Sequence, residues 1–190
     1  MAECRWDLSQ LRKLCSGDSE EFRMLDCKEI ATPMASNLKL MSDTSIETVD
    51  AMMYHRMIGS LMYLMNTRSN ICFALNTLSQ FLMDPRHLHL IAAKHVLRYL
   101  KGTVDYGLKY DANKNIILHG YVDSDWPSSA IDRKSTSGYC FSFGYGMISW
   151  FNMKQSCMVL STTKAEYVAA CSAICEAIWL WKLLFDLFNL

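Results

Sequence analysis

The spacing of apolar residues divides this sequence into a helical part and a later part with two-residue alternation. From Asp50 onward, apolar side chains recur every three or four residues, the period of an α-helix with one buried face. Asp50 can cap a first helix, and the same period predicts a second helix over residues 70–83. Asp84 followed by Pro85 predicts the start of a third helix, which runs to about Leu100 with Gly102 just past its end. Three amphipathic helices with short links predict a small bundle.

After Gly102 the apolar positions alternate with polar ones, which is typical of β-strands. The predicted extended segments are residues 107–110, 116–122, 139–143, 147–151 and 157–160. The Gly144-Tyr145-Gly146 sequence predicts a turn between two antiparallel strands. A final helix is predicted over residues 163–188. We therefore expect an antiparallel meander that this helix covers on one face.

These elements predict an α/β (α+β-like) chain in three parts. Residues 1–48 lack a regular period and are expected to be irregular. Residues 49–104 form the helical segment, and residues 105–190 form the sheet and its covering helix. A hydrophobic fraction of 51% is ample for a core and argues against a disordered chain.

The charge and cysteine content narrow the functional classes. Equal numbers of acidic and basic residues give zero net charge, so any nucleic-acid contact must come from a local patch. Eight cysteines form no Cys-x-x-Cys pair, and the polar N-terminus does not resemble a signal peptide, so we expect reduced, mostly buried thiols in an intracellular protein, cytoplasmic or nuclear. His87-x-His89 has no nearby cysteine pair, and helix-start histidines explain it better than a zinc site.

Two carboxylates and one basic helix face carry the candidate chemistry. Asp123 lies within a predicted strand and Glu166 near the start of the last helix, where each has a simpler explanation. Asp123 can end a strand, and Glu166 can complete a capping box with Thr163. Lys94, Arg98 and Lys101 lie four and three residues apart on the third helix, opposite an apolar stripe that includes Leu88 and Val96. This face can contact a phosphate backbone or simply be solvated.

The last helix is apolar nearly all round, which is typical of a helix buried on more than one side. It can pack on the helical bundle, pair with another chain or cause aggregation. No apolar run reaches the length of a membrane span without interruption, so we expect no membrane contact.

The motifs that follow carry a resemblance to a known family. They are Ala31-Thr32-Pro33-Met34, Ile58-Gly59-Ser60-Leu61-Met62-Tyr63-Leu64, Leu97-Arg98-Tyr99-Leu100-Lys101-Gly102-Thr103, Gly120-Tyr121-Val122-Asp123-Ser124-Asp125-Trp126, Ile148-Ser149-Trp150 and Ala165-Glu166-Tyr167. From about Phe22 to the C-terminus, the chain resembles the Pol polyprotein of copia-type retrotransposons. The matching region is the reverse transcriptase thumb and the first part of ribonuclease H.

The resemblance implies a parent activity of RNA-directed DNA synthesis and magnesium-dependent cleavage of RNA in RNA–DNA hybrids. Asp123 and Glu166 match the family's first catalytic aspartate and its catalytic glutamate, both Mg²⁺ ligands. The polymerase Tyr-Val-Asp-Asp motif and the later ribonuclease H aspartate are expected outside these 190 residues. Pro127-Ser128-Ser129 replaces the usual Ala-Gly-Asp, and Lys164 stands where an acidic residue is usual.

These departures predict a fragment with little catalysis of its own. The alternative is a non-enzymatic remnant that binds nucleic acid, such as an RNA–DNA hybrid, weakly through the third helix. Such a remnant could instead bind a protein partner through the apolar last helix.

Overall fold

The computed structural model describes residues 27–35, 38, 40, 47–108, 110, 117–125 and 134–188. The chain divides into two compact units, Ala2–Gly107 and Leu108–Leu190. The predicted irregularity of residues 1–48 lies largely outside the described residues. Residues 27–35, which the structure does describe, form no helix or strand.

The first helix of the helical unit, α1 (Ala51–Leu64), begins where the sequence predicts. The Asp50 carboxylate accepts the Met52 N–H at 2.9 Å, which satisfies one of the free donors of the first turn. Tyr54, Ile58 and Leu61 are fully buried along one side of the helix. The Asp50 cap therefore determines where α1 begins, and the apolar spacing determines which side of it is buried.

The second helix is shorter than the predicted range of 70–83. A 3₁₀ turn (Ser69–Ile71) leads into α2 (Cys72–Ser79). Beyond Ser79, the N–H groups of Gln80, Phe81 and Leu82 each bond to a carbonyl three residues earlier, so the helix tightens and ends. Pro85 also disfavours helical backbone at the residue before it.

The third helix, α3 (His87–Gly102), starts later than the predicted cap at Asp84. Arg86 holds the cap position in extended backbone, and its N–H donates to Nδ1 of His89 at 3.0 Å. Residues 47–49 pair with residues 85–87 through two backbone hydrogen bonds, which keep Pro85 outside the helix. At the other end, Gly102 lies in the last turn instead of beyond it, and Thr103 is the cap.

A single apolar cluster holds α1, α2 and α3 together. Its fully buried members include Met57, Ile58, Leu61, Leu64, Ile71, Leu75, Leu78, Val96 and Leu100. The buried face of α3 is wider than the predicted stripe, and Leu88 lies only half-buried at its edge. The predicted small helical bundle is present in this unit.

Arg68 closes the end of α3 from within this unit. Its side chain is 4% exposed, and Nη1 donates to the carbonyl oxygens of Thr103 and Tyr106, each at 2.8 Å. A helix leaves its last carbonyl groups without internal partners. The buried guanidinium therefore supplies donors to the turn that ends the unit.

The sheet unit contains the predicted antiparallel meander. Strands β1 (Leu118–Asp125), β2 (Thr136–Phe143) and β3 (Gly146–Lys154) lie in that order. Gly144, with φ of 62°, makes the turn between β2 and β3, a conformation that glycine adopts without strain. The extended segment predicted at 157–160 is irregular, as are the described residues of the one predicted at 107–110.

Helix α4 (Thr162–Phe188) covers one face of this sheet. Ala165, Ala169 and Ala173 are buried along its inner side, and such small side chains let a helix approach a sheet closely. Gly120 lies opposite Phe141, and a Cβ atom at Gly120 would overlap the Phe141 ring. The described apolar cluster between the helix and the sheet is small: its buried members are Phe141, Ala173 and Leu180, flanked by Leu118, Tyr139, Ile148 and Ala177.

Candidate functional site

Asp123 lies near the end of β1 with its carboxylate exposed. One carboxylate oxygen accepts the N–H of Ser124 at 2.9 Å. Gly120 shares a face with Phe141, which packs on α4, and successive strand residues point to opposite faces. Asp123 therefore points away from the face that α4 covers.

Glu166 lies in the first turns of α4 and is also exposed. The helix begins at Thr162, and the Ser161 hydroxyl accepts the Lys164 N–H at 3.2 Å, so Ser161 is the cap. This places Lys164, and not Glu166, at the third helical position. The predicted capping box between Thr163 and Glu166 is therefore wrong, and Glu166 has no capping role there.

The sheet thus separates the two carboxylates instead of bringing them together. Among the described residues, no group of three or more His, Cys, Asp or Glu side chains could hold a metal ion. Two-metal hydrolysis needs several carboxylates around ions about 4 Å apart. The described residues therefore do not form a Mg²⁺ centre, and the roles of Asp123 and Glu166 stay predictions from resemblance.

Sequence reasoning missed Gln155, which ties the first turn of α4 to the sheet. Its side-chain amide is 5% exposed, and Nε2 donates to the Ala165 carbonyl and to the Ser137 hydroxyl, both at 2.9 Å. Its backbone N–H donates to the Ser135 carbonyl at 2.8 Å. A polar residue directly after an alternating strand was the available signal, but the predicted strand ended at Phe151.

The same end of the sheet contains buried oxygen atoms without a described hydrogen-bond partner: Oε1 of Gln155, Oγ of Ser135 and Oγ of Ser124. Ser124 and Ser137 are paired across β1 and β2 on the covered face. Burying such groups costs free energy unless they are hydrogen-bonded. This end of the sheet is therefore polar inside, in contrast to the apolar interior around Phe141.

The basic face of α3 is neither open nor simply solvated. Residues 27–35, which we call the strap, run across it and accept hydrogen bonds through their backbone. Arg98 Nε donates to the Lys28 carbonyl at 2.6 Å, and Lys101 Nζ to the Cys27 carbonyl at 3.2 Å. Two of the three predicted phosphate contacts therefore serve a structural purpose, and His95 Nε2 bonds to the Thr32 carbonyl at 3.0 Å as well.

His89, the second residue of the His87-x-His89 pair, has a structural role that does not require a metal. It is fully buried, accepts the Arg86 N–H and stacks on Phe81 with ring centroids 3.9 Å apart. Burial lowers the pKa of His89 below its usual range, because the charged form loses its hydration. The interpretation as a helix-start histidine is confirmed for this residue.

The thiols are more accessible than predicted. None of the six described cysteines forms a disulfide bond, and Cys72 alone is buried among them. Cys27 and Cys140 are half-buried, and Cys157, Cys171 and Cys175 are exposed. The expectation of mostly buried thiols is therefore wrong for the described residues, while Cys4 and Cys15 lie outside them.

Helix α4 is buried along the side that faces the sheet, and the described part of the sheet unit does not cover its other sides. Its outer surface exposes Ile174, Ile178, Trp179 and Trp181, among other large apolar residues. By length and composition alone, Thr162–Leu187 could cross a membrane. This is weak evidence, because core helices of soluble proteins pass the same test.

Several known proteins have similar sequences, among them two transposon polyproteins and a secreted effector. The retrovirus-related Pol polyprotein from transposon RE2 of Arabidopsis thaliana is 40% identical over 164 residues, 86% of this chain and 11% of that protein. The retrovirus-related Pol polyprotein from transposon TNT 1-94 of Nicotiana tabacum is 42% identical over 175 residues, 88% of this chain and 13% of that protein. The secreted RxLR effector protein 161 of Plasmopara viticola is 44% identical over 128 residues, 67% of this chain and 90% of that protein.

The chain therefore spans roughly a tenth of the Pol polyproteins that it matches. No family model matches the sequence, and no solved structure matches the chain.

Proposed function

Because the chain belongs to the family of retrovirus-related Pol polyproteins from copia-type transposons, we propose that it derives from their reverse transcriptase and ribonuclease H region. In this proposal, the helical unit corresponds to the thumb. The sheet unit corresponds to the first part of ribonuclease H.

One observation carries the proposal: an antiparallel meander whose first strand bears Asp123 is covered by a helix whose first turns bear Glu166. This is the order of strand carboxylate, hairpin and helix carboxylate that the resemblance implies. We propose that these 190 residues do not cleave hybrids by themselves. The two carboxylates lie on different sides of the sheet, and no third ligand joins them among the described residues.

The test of activity uses the purified chain with a labelled RNA–DNA hybrid and Mg²⁺ or Mn²⁺. We expect no cleavage above the level of the Asp123→Asn and Glu166→Gln variants. Missing ligands commonly cost several kcal/mol of transition-state stabilisation, a loss of roughly a thousandfold or more in rate. Cleavage by the unaltered chain that both variants lose would contradict the proposal.

The test of descent is separate. Sequencing the nucleotides on both sides of the reading frame should reveal a Tyr-Val-Asp-Asp polymerase motif upstream and a later ribonuclease H aspartate downstream, intact or decayed. Flanks without any trace of either motif would remove the support for this origin, whatever the cleavage assay gives.

A second candidate is a non-enzymatic binding protein. The effector from Plasmopara viticola favours it, because the matched region makes up 90% of that protein and so can form nearly a whole chain. We propose that nucleic-acid binding through α3 is weak, since the strap already holds Arg98 and Lys101. Fluorescence anisotropy at low salt should give an affinity no better than ~10 µM, with a log–log salt slope no steeper than about −3.

The matched variants separate the charges on α3. Lys94→Glu removes a cation for which no bond to the strap is described, so it should weaken binding without loosening the strap. Arg98→Glu should both weaken binding and loosen the strap. Loosening of the strap can be measured as faster trypsin cleavage after Lys28. Equal binding by the wild type and by a variant with glutamate at Lys94, Arg98 and Lys101 would show that the face contacts no phosphate.

A further inference from the structure

The outer side of α4 carries a row of apolar residues with the spacing of a coiled coil. We call this row the outer seam, and its members are Tyr167, Cys171, Ile174, Ile178, Trp181 and Phe185, all exposed. They are separated by four, three, four, three and four residues, the intervals of the a and d positions of heptads. At about 100° per residue, this row lies opposite the buried alanines that face the sheet.

We propose that the outer seam pairs with the outer seam of a second copy of this chain, as two antiparallel helices. The row is self-complementary in that orientation. When two copies of α4 cross symmetrically about the level of Glu176, Tyr167 faces Phe185, Cys171 faces Trp181, and Ile174 faces Ile178. Each of these pairs occurs twice, as a two-fold interface requires.

The sizes of the facing side chains favour the antiparallel orientation. The small Cys171 then lies against the large Trp181, and well-packed layers combine small with large residues in this way. In a parallel pair, Trp181 would face its own copy, and so would Cys171. The first layer would be crowded and the second would leave a void.

The exposed area is sufficient for a specific dimer. Tyr167 is 71% exposed, Ile174 57% and Trp181 62%, and the other large members of the outer seam are each 50% exposed. Covering them would bury roughly 600 Å² on each copy, or about 1,200 Å² in total, above the ~1,000 Å² expected of a biological interface.

The polar residues of α4 favour a protein partner over a membrane. Glu166, Glu176, Lys182 and Asp186 all lie outside the outer seam. The Glu176 carboxylate accepts a hydrogen bond from the Ser149 hydroxyl at 2.7 Å, on the sheet side of the helix. A helix that crossed a membrane would have to bury these charges in lipid, which is costly. Pairing along the outer seam leaves Glu166, Lys182 and Asp186 in water and keeps the contact of Glu176 with the sheet.

The test is sedimentation equilibrium of the full chain. We expect a dimer at ~10 µM, and we expect the double variant Ile174→Glu/Ile178→Glu to raise its dissociation constant at least ~100-fold, because it places unpaired charge at the centre of the seam. Trp179→Glu is the matched control, since Trp179 is 56% exposed on the same helix but lies outside the outer seam. It should leave the dimer intact, and far-UV circular dichroism should show that both variants are folded.

Two results would overturn the pairing. One is a monomeric wild type at that concentration, including a monomer that floats with phosphatidylcholine vesicles. The other is a Trp179→Glu variant as monomeric as the double variant, since association would then be non-specific.

Cross-linking with a short bis-maleimide tests the orientation. Cys175 lies one residue from the symmetry point, so both copies of Cys175 lie close to the two-fold axis of the antiparallel dimer. The cross-linked dimer should therefore survive Cys171→Ser and disappear in Cys175→Ser. The reverse result would overturn the antiparallel arrangement, because Cys171 faces itself in a parallel one.

Discussion

The helical unit and the sheet unit bury their apolar residues to very different extents. Sixteen residues form the buried cluster described for α1, α2 and α3, whereas three form that of the sheet unit. The helical unit also closes its own ends with polar contacts, an exposed one from Asp50 at the start of α1 and a buried one from Arg68 at the end of α3. The sheet unit has one sheet face and one helix face without a described apolar cover.

The difference shows that one part of a chain can have a large apolar core while another part relies on a few contacts for its stability. The favourable free energy of burial grows with the apolar area buried, so the helical unit should be stable by itself and should unfold independently of the sheet unit. The sheet unit relies on a few contacts at Phe141 and Gln155. We expect two separate unfolding transitions, with the sheet unit the first to lose its amide protection.

The largest effect is expected from Leu61→Ala in α1. Leu61 is fully buried among the other apolar residues of the helical unit, so its truncation leaves a cavity. The free energy of unfolding of this unit should fall by about 3 kcal/mol. Hydrogen exchange followed residue by residue should show faster exchange in α1 and α3 and no change in β2. Equal loss of protection in β2 would show that the two units unfold together.

The next effect is expected from Arg68→Met. It removes the donors to the Thr103 and Tyr106 carbonyls and keeps much of the side-chain volume. Carbonyl groups left buried without donors should cost about 2 kcal/mol, measured by urea unfolding of the helical unit. Arg56→Met on the exposed side of α1 is the control and should change stability by less than ~0.5 kcal/mol. Similar losses in both variants would mean that the buried position of Arg68 is unimportant.

A smaller effect is expected from Gln155→Leu in the sheet unit. The substitution removes the hydrogen bond from Nε2 to the Ala165 carbonyl at the start of α4 and the one to the Ser137 hydroxyl in β2, at a cost of about 1–2 kcal/mol. Gln155→Glu should cost more, because it loses the same donor and buries a charge. Exchange of the amides at the start of α4 should accelerate in both variants. A fully stable Gln155→Glu protein would show that this end of the sheet is open to water.

The smallest effect is a pH dependence confined to the helical unit. Burial lowers the pKa of His89 in the folded state. When the pH falls below the ordinary histidine pKa of ~6.5, His89 is therefore protonated more in the unfolded chain than in the folded one. The stability of the unit should therefore fall as the pH drops from 7.5 to about 5.5. His89→Gln should flatten this dependence, since a glutamine can still accept the Arg86 N–H. A dependence unchanged by the substitution would assign it to another group.

The sequence predicted the parts of the fold that local physics determines. The start of α1, the meander and the length of α4 followed from apolar period, a capping aspartate and a glycine turn. The errors occurred where the ends of an element depend on contacts with residues distant in the sequence. The start of α3 depends on pairing between residues 47–49 and 85–87, and the end of α2 depends on a tightening turn that no single residue marks.

The candidate site was less predictable than the fold. Asp123 and Glu166 were identified by resemblance, but the face on which Asp123 points depends on strand register, which the motif does not contain. Lys94, Arg98 and Lys101 were correctly placed on one helix. Their strap partners are backbone carbonyl groups, which carry no residue-specific signal.

The strap also sets an order of events while the chain is being synthesised. Lys28 leaves the ribosome seventy residues before Arg98, to which its carbonyl group bonds. At about 5–20 residues per second, the strap waits several seconds for that partner. During this time α1 and α2 can form, but the carbonyl groups of the strap remain bonded to water. The helical unit is therefore completed only when its first described residues return to its last helix.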